Sequence, residues 1–151
     1  MSAVSTTEAR KGWSNYFTRA VTERRPVAIE RGGDDLGVLI GADELELLLE
    51  PHSFAPEVFF EANAVSIWLS EFALYGRGRS FEDARVDLVA EVRAYVDEYL
   101  GDAPLYLRSP NRAQQFPWVL RAFIADAAGR LEDVLFAPAA EVAPAPRRDV
   151  N

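Results

Sequence analysis

Three cations in the first third of the chain, Arg10, Lys11 and Arg31, sit where an anion could be held. Arg10 and Lys11 follow Ser5-Thr6-Thr7-Glu8-Ala9, and Arg31 precedes Gly32-Gly33-Asp34-Asp35. The planar fork of arginine suits bidentate contact with phosphate or with a guanine edge. The chemistry on offer is therefore recognition of nucleic acid. Bland alternatives stand beside it: Arg10 as a solvated helix arginine, and Arg31 as a turn residue paired with Asp34 or Asp35. Nothing else in the chain promises catalysis. His52, the one histidine, follows Pro51 and reads as a solvated linker group. Gly76-Arg77-Gly78-Arg79 reads as a loop that lacks the lysine and the strand-to-helix context of a phosphate loop. Arg77 and Arg79 there either hold a phosphate or an acidic partner, or are simply solvated. Glu57 and Glu61, like Glu82 and Asp83, lack metal-ligand spacing. The absence of cysteine removes disulfides, thiolate chemistry and cysteine-based zinc sites. No enzyme activity, cofactor or metal is expected.

The elements that must position these cations follow from periodicity. Ser5 and Glu8 have the spacing of a capping box, which satisfies orphan amides at a helix start. Ala9, Trp13, Tyr16, Phe17, Ala20 and Val21 then form a helical apolar stripe. That stripe reads as core or dimer interface. Arg10 and Lys11 lie off it in the first turn, where free amides and the helix dipole also favour a phosphate. Pro26 restarts the chain as a strand, Val27 to Arg31, and the Gly-Gly-Asp-Asp turn returns it as Leu36 to Ile40. A short helix over Ala42 to Leu49 is stopped by Pro51. So small a hairpin needs the first helix, and a second copy of itself, to be stable. Trp13, Tyr16, Phe17, Val38 and Ile40 are the expected dimer interface.

Composition allows a real core: 151 residues, 49% of them hydrophobic, in one ordinary domain or two very small ones. The net charge is −8, but unevenly spread. Residues 1–33 carry six basic and three acidic side chains, whereas the other 118 carry ten and twenty-one. A basic head on an acidic body fits phosphate at one end and a basic partner elsewhere; an acidic surface that serves only solubility is the alternative. No apolar run has signal-peptide or membrane-spanning character, so a soluble cytoplasmic protein is expected.

Val4-Ser5 with Thr7-Glu8-Ala9-Arg10, the apolar helix, Pro26-Val27-Ala28-Ile29, an arginine and glycines at the turn, then Val38-Leu39-Ile40 follow one another in a recognisable order. On these motifs residues 3–50 resemble the N-terminal domain of the Phd/YefM antitoxins of type II toxin–antitoxin systems. The resemblance implies a dimer that binds a palindromic operator and represses its own operon. It also implies DNA contacts from the helix-start and hairpin-turn arginines, here Arg10 and Arg31. Ser5 and Thr7 occupy positions from which hydroxyls reach phosphate, with Lys11 beside them. The chain departs from the family in carrying Glu30 where threonine is common, and Asp34 and Asp35 where a neutral or basic turn is usual.

Beyond residue 52 the chain continues as two short strands, Glu57 to Glu61 and Ala64 to Phe72, and then a helix capped by Ser80 and Asp83 that runs to Leu100. Phe81, Ala84, Leu88, Val92, Tyr95 and Tyr99 form the stripe of that helix. This strand–strand–glycine loop–helix outline resembles the small α/β domain of HicB-type antitoxins, and implies a folded surface offered to a toxin. Leu105 to Arg108 reads as another strand, and a last helix spans roughly Arg112 to Ala128. Leu131 to Phe136 either extends that helix or pairs as a strand. The expected fold is α+β in three parts. Residues 1–52 form a helix-plus-hairpin module for dimerisation and DNA binding. Residues 53–136 form a two-layer α/β toxin-binding domain with two amphipathic helices, and 137–151 a disordered tail. Leu88, Glu91, Tyr95, Glu98, Tyr99 and Trp118 are the expected toxin contacts. The partners expected are a small basic toxin (an RNase or similar translation inhibitor), operator DNA and a second copy. A dimeric interaction module that has lost DNA binding is the competing reading.

Overall fold

Gly12 divides the first helix. The computed structural model, which describes residues 2–137, places α1 over Thr6–Lys11 and α2 over Trp13–Val21. Gly12 takes φ −112° and ψ 26°, off the helical values. Its N–H still donates to the Glu8 carbonyl at 3.1 Å, and its own carbonyl accepts from Tyr16 at 3.0 Å. A Cβ at Gly12 would stand 3.1 Å from the Tyr16 ring, so glycine permits the close approach of that ring. The cap expected at Ser5 is present, its Oγ accepting from the Glu8 N–H at 3.1 Å.

Strand β1 (Val4–Ser5) pairs parallel with β2 (Val27–Arg31), which pairs antiparallel with β3 (Asp35–Leu39). The hairpin closes on Arg31 opposite Asp35, with Gly32 and Gly33 at φ 63° and 82°. Those values lie in the left-handed region that glycine enters without a steric penalty. Helix α3 spans Ala42–Leu49. These elements form one compact unit, Met1–Glu50, and a second begins at Pro51. That division lies two residues before the boundary expected after residue 52, because His52, Ser53 and Phe54 pack on the second unit. The Arg121 guanidinium donates to the His52 carbonyl at 2.7 Å, and the Trp118 indole to the Ser53 carbonyl at 3.0 Å. The His52 ring meets Trp118 edge-on at 4.7 Å, so it is not the solvated linker group expected.

The second unit opens with an antiparallel meander, β4 (Glu57–Glu61), β5 (Ala64–Leu69) and β6 (Leu74–Gly78), in that spatial order. Helix α4 (Phe81–Gly101) lies across β6 and β5, and Ser80 caps it by accepting the Asp83 N–H at 3.1 Å. The glycines read as a loop, Gly76 and Gly78, are strand residues under that helix. A Cβ at Gly76 would come 2.6 Å from the Leu88 backbone nitrogen, and one at Gly78 2.6 Å from that of Ala84. Two glycines at alternate positions let a helix backbone settle directly on the sheet.

The strand expected over Leu105–Arg108 is helix α5 (Ala103–Arg108). Pro104 suits a first helical turn, and the Asp102 carbonyl accepts from Leu105 and Tyr106 at 3.0 and 3.3 Å. Three more helices follow: α6 (Pro110–Ala113), α7 (Phe116–Ala127) and α8 (Leu131–Leu135), the last separated by Gly129 at φ 71°. This unit thus holds five helices among the described residues, not the two expected. On α7 the buried side is Val119, Ala122, Ile124 and Ala125, with Phe123 exposed. A single core joins Ile67 and Leu69 of the sheet, Leu88, Val92 and Tyr99 of α4, Val119 and Leu135. Of the tail expected from residue 137, everything from 138 on lies outside the described residues. No helix among the described residues is long and apolar enough to cross a membrane.

Candidate functional site

The bend at Gly12 relocates two of the expected DNA contacts. Arg10 and Lys11 occupy the last turn of α1, not the first, so the amides at that helix start point elsewhere. The negative end of the helix dipole faces them instead. Ser5 and Thr7 stay exposed at the opposite end, where the Ser5 oxygen already accepts the capping bond and its O–H remains able to donate. Arg31 is exposed at the hairpin, and its Nε and Nη2 both donate to Asp35 Oδ2, at 3.1 and 2.7 Å. The pairing that competed with DNA contact in the sequence is therefore the one found.

Arg10 and Arg31 nevertheless border one continuous surface. An open hollow of about 430 Å³ is lined by Thr6, Trp13, Ile29, Arg31, Leu36 and Val38, among others. A second, of about 350 Å³, shares Thr6, Trp13 and Ile29 with it and adds Arg10. The floor is apolar, and its rim carries Arg10, Arg31 and the Asp35 carboxylate paired with Arg31. Trp13 is 51% exposed and Val38 60%. Phe17 is exposed too, its ring 6.2 Å from that of Trp13. Tyr16 is half-buried with the Arg19 guanidinium 5.2 Å above its ring, and Ile40 is half-buried just past the end of β3. The apolar residues buried in Met1–Glu50 are Ala9, Ala20, Val27 and Leu49. These are mostly small, and the larger apolar side chains Trp13, Phe17, Val21, Leu36 and Val38 are exposed.

The residues expected to meet a toxin divide sharply. Leu88, Tyr95 and Tyr99 belong to the core, so no partner reaches them in the folded chain. Tyr99 donates its hydroxyl to the Arg112 carbonyl at 2.8 Å, and Arg112 Nη1 donates to the Tyr95 hydroxyl at 2.6 Å. Tyr95 in turn donates to Gln115 Oε1. These tyrosines fasten α4 to α6 and to the turn before α7. Burial and the neighbouring Tyr95 push the Tyr99 hydroxyl above the usual tyrosine range. Tyr106 is raised as well, first by its hydrogen bond to Glu98 and then by burial. Glu91 and Glu98 are exposed on α4, Glu98 accepting from the Tyr106 hydroxyl at 2.7 Å, and Trp118 is half-buried.

One surface escaped the sequence reading. Every residue of β4 is exposed, including Val58, Phe59 and Phe60. Its signal was present as three consecutive large apolar residues between Glu57 and Glu61, without the alternation of a half-buried strand. Among the described residues no group of three or more His, Cys, Asp or Glu is placed to hold a metal ion.

Comparison with known proteins bears on these surfaces. A search of curated proteins finds no match. The fold is similar to a crystal structure from Syntrophomonas wolfei subsp. wolfei, described as the antitoxin part of a proposed toxin/antitoxin system. The TM-score is 0.71 at 22% identity, over 89% of this chain and 96% of that one. The family model PHD_like, described as antitoxin of toxin-antitoxin, RelE / RelB, TA system, matches residues 1–136. With a match over that much of its length, the chain belongs to this family of antitoxins, which are not enzymes.

Proposed function

We propose that this antitoxin is of the Phd/YefM type, that it neutralises a small basic toxin, an RNase or similar translation inhibitor, and that it represses its own operon as a dimer on operator DNA. Family membership already implies a cognate toxin. The observation that carries the rest is the uncovered apolar floor between Arg10 and Arg31. A second copy seated there buries Trp13, Phe17 and Val38 and brings two pairs of rim arginines together on one assembly. Operator palindromy mirrors such a two-fold. Residues 1–52 carry this role and residues 53–136 the toxin, through Glu91, Glu98 and the exposed edge of Trp118. Acidic surface over the toxin masks its RNA-binding side.

The Arg31–Asp35 pair favours the second reading, a dimeriser without DNA binding, and magnitudes decide between them. An exposed pair of this kind is worth at most about 1 kcal/mol. A charge-assisted hydrogen bond to phosphate or guanine is worth roughly 1.5–3 kcal/mol. Arg31 therefore exchanges Asp35 for DNA at small cost, and Asp35→Asn should tighten binding. In a gel shift on the DNA upstream of the gene, Arg10→Ala should weaken binding about tenfold or more. Should the wild type leave that DNA unshifted at low salt, with and without toxin, the repressor reading is wrong. Co-expression with the adjacent gene tests neutralisation: the whole chain should rescue growth, whereas residues 1–52 should not.

A further inference from the structure

We infer that the outer edge of β4 is the docking strand for the toxin, which adds an extended segment of its own to this sheet. The inference rests on the antitoxin reading and adds a main-chain docking edge to the toxin contacts proposed at Glu91, Glu98 and Trp118. Strand β4 pairs with β5 through residues Glu57 to Glu61 opposite Trp68 to Ala64, and no strand lies on its other side among the described residues. Alternate N–H and C=O groups along that side are free to pair with another chain. The side chains there are apolar on both faces of the strand. Val58 and Phe60 lie opposite Ile67 and Val65 on the α4 side, and Phe60 is 74% exposed. Phe59 lies on the opposite face.

Charge selects the occupant. The strand reads Glu-Val-Phe-Phe-Glu, a near palindrome. A second copy paired antiparallel in full register would set Glu57 against Glu61 twice, and like charges directly opposite each other destabilise a sheet. The partner that fits carries basic side chains four residues apart, flanking an apolar stretch, so that each glutamate faces a cation. Main-chain bonds then give affinity, and the two glutamates set register and choose a basic partner.

The test uses the full chain and the purified product of the adjacent toxin gene. Glu57→Lys with Glu61→Lys, at two exposed positions, should weaken toxin binding about a hundredfold while the chain unfolds at the wild-type temperature. Hydrogen exchange on the wild-type complex should show new protection at the amides of residues 57–61, a readout that needs no variant. Wild-type toxin affinity in the double variant, or unprotected β4 amides in the complex, overturns the docking strand and leaves the antitoxin reading intact. Loss of mass in solution for the double variant with toxin affinity unchanged assigns the edge to a second copy and equally overturns it. Absence of any binding between the wild-type chain and the toxin sinks both readings together.

Discussion

A Trp13→Asp chain should sediment as a monomer and lose operator binding at concentrations where the wild type is dimeric, while its second unit melts unchanged. Trp13, Phe17 and Val21 recur every four residues on α2, and all three are exposed, at 51%, 48% and 43%. They form one face of the helix, and Trp13 lines one hollow with the exposed Leu36 and Val38 of β3. Covering the exposed half of a tryptophan in each of two copies removes apolar area worth roughly 5 kcal/mol. At about 1.4 kcal/mol per factor of ten, that loss alone weakens the dimer more than a thousandfold. An aspartate in its place adds the cost of two facing charges. Trp13→Phe retains most of the area and should retain a weaker dimer. Equilibrium sedimentation decides the matter: an aspartate variant with the wild-type mass would remove α2 from the interface.

The second large effect is expected at a residue with no side chain. Gly76→Ala should destabilise the second unit by about 3 kcal/mol or more, because its Cβ meets backbone and Cβ atoms of α4, not the flexible end of a side chain. A rigid helix cannot yield locally, so the whole of α4 must lift from β6. Gly101→Ala provides the contrast. It ends the same helix and a Cβ there meets nothing within 4 Å, so alanine should be neutral or stabilising by up to about 1 kcal/mol. Thermal unfolding separates the two. The melting temperature should fall by more than about 10 °C for Gly76→Ala and not at all for Gly101→Ala.

Gly76 also shows where a one-dimensional reading fails. Gly-Arg-Gly-Arg has the composition of a loop, and composition is what local rules weigh. That Gly76, Arg77 and Gly78 form a strand depends on the helix that follows, whose backbone needs the space two missing side chains leave. Arg10 and Lys11 failed for a related reason. The apolar stripe passes through Gly12 without interruption, so periodicity predicts one helix, whereas α1 ends at Lys11 and a new helix starts at Trp13, which leaves the arginine in a last turn. Tyr95 and Tyr99 were assigned to a partner although their helical spacing with Leu88 and Val92 already marked the buried side of α4.

The sequence by itself determined the local elements with a local cause: the cap at Ser5, the hairpin turned by Gly32 and Gly33, the cap at Ser80, and the buried stripe of α4. It also pointed to an antitoxin of a toxin–antitoxin system, because those signals come in a recognisable order. Only the tertiary structure decided which of these surfaces remain uncovered. Exposure of Trp13, Phe17 and Phe60 depends on what the rest of the chain has available to lay over them, a sum over the whole fold that no window of residues contains. The pairing of Arg31 with Asp35 likewise needed the register of β2 on β3, which sets the two side chains opposite each other across the turn.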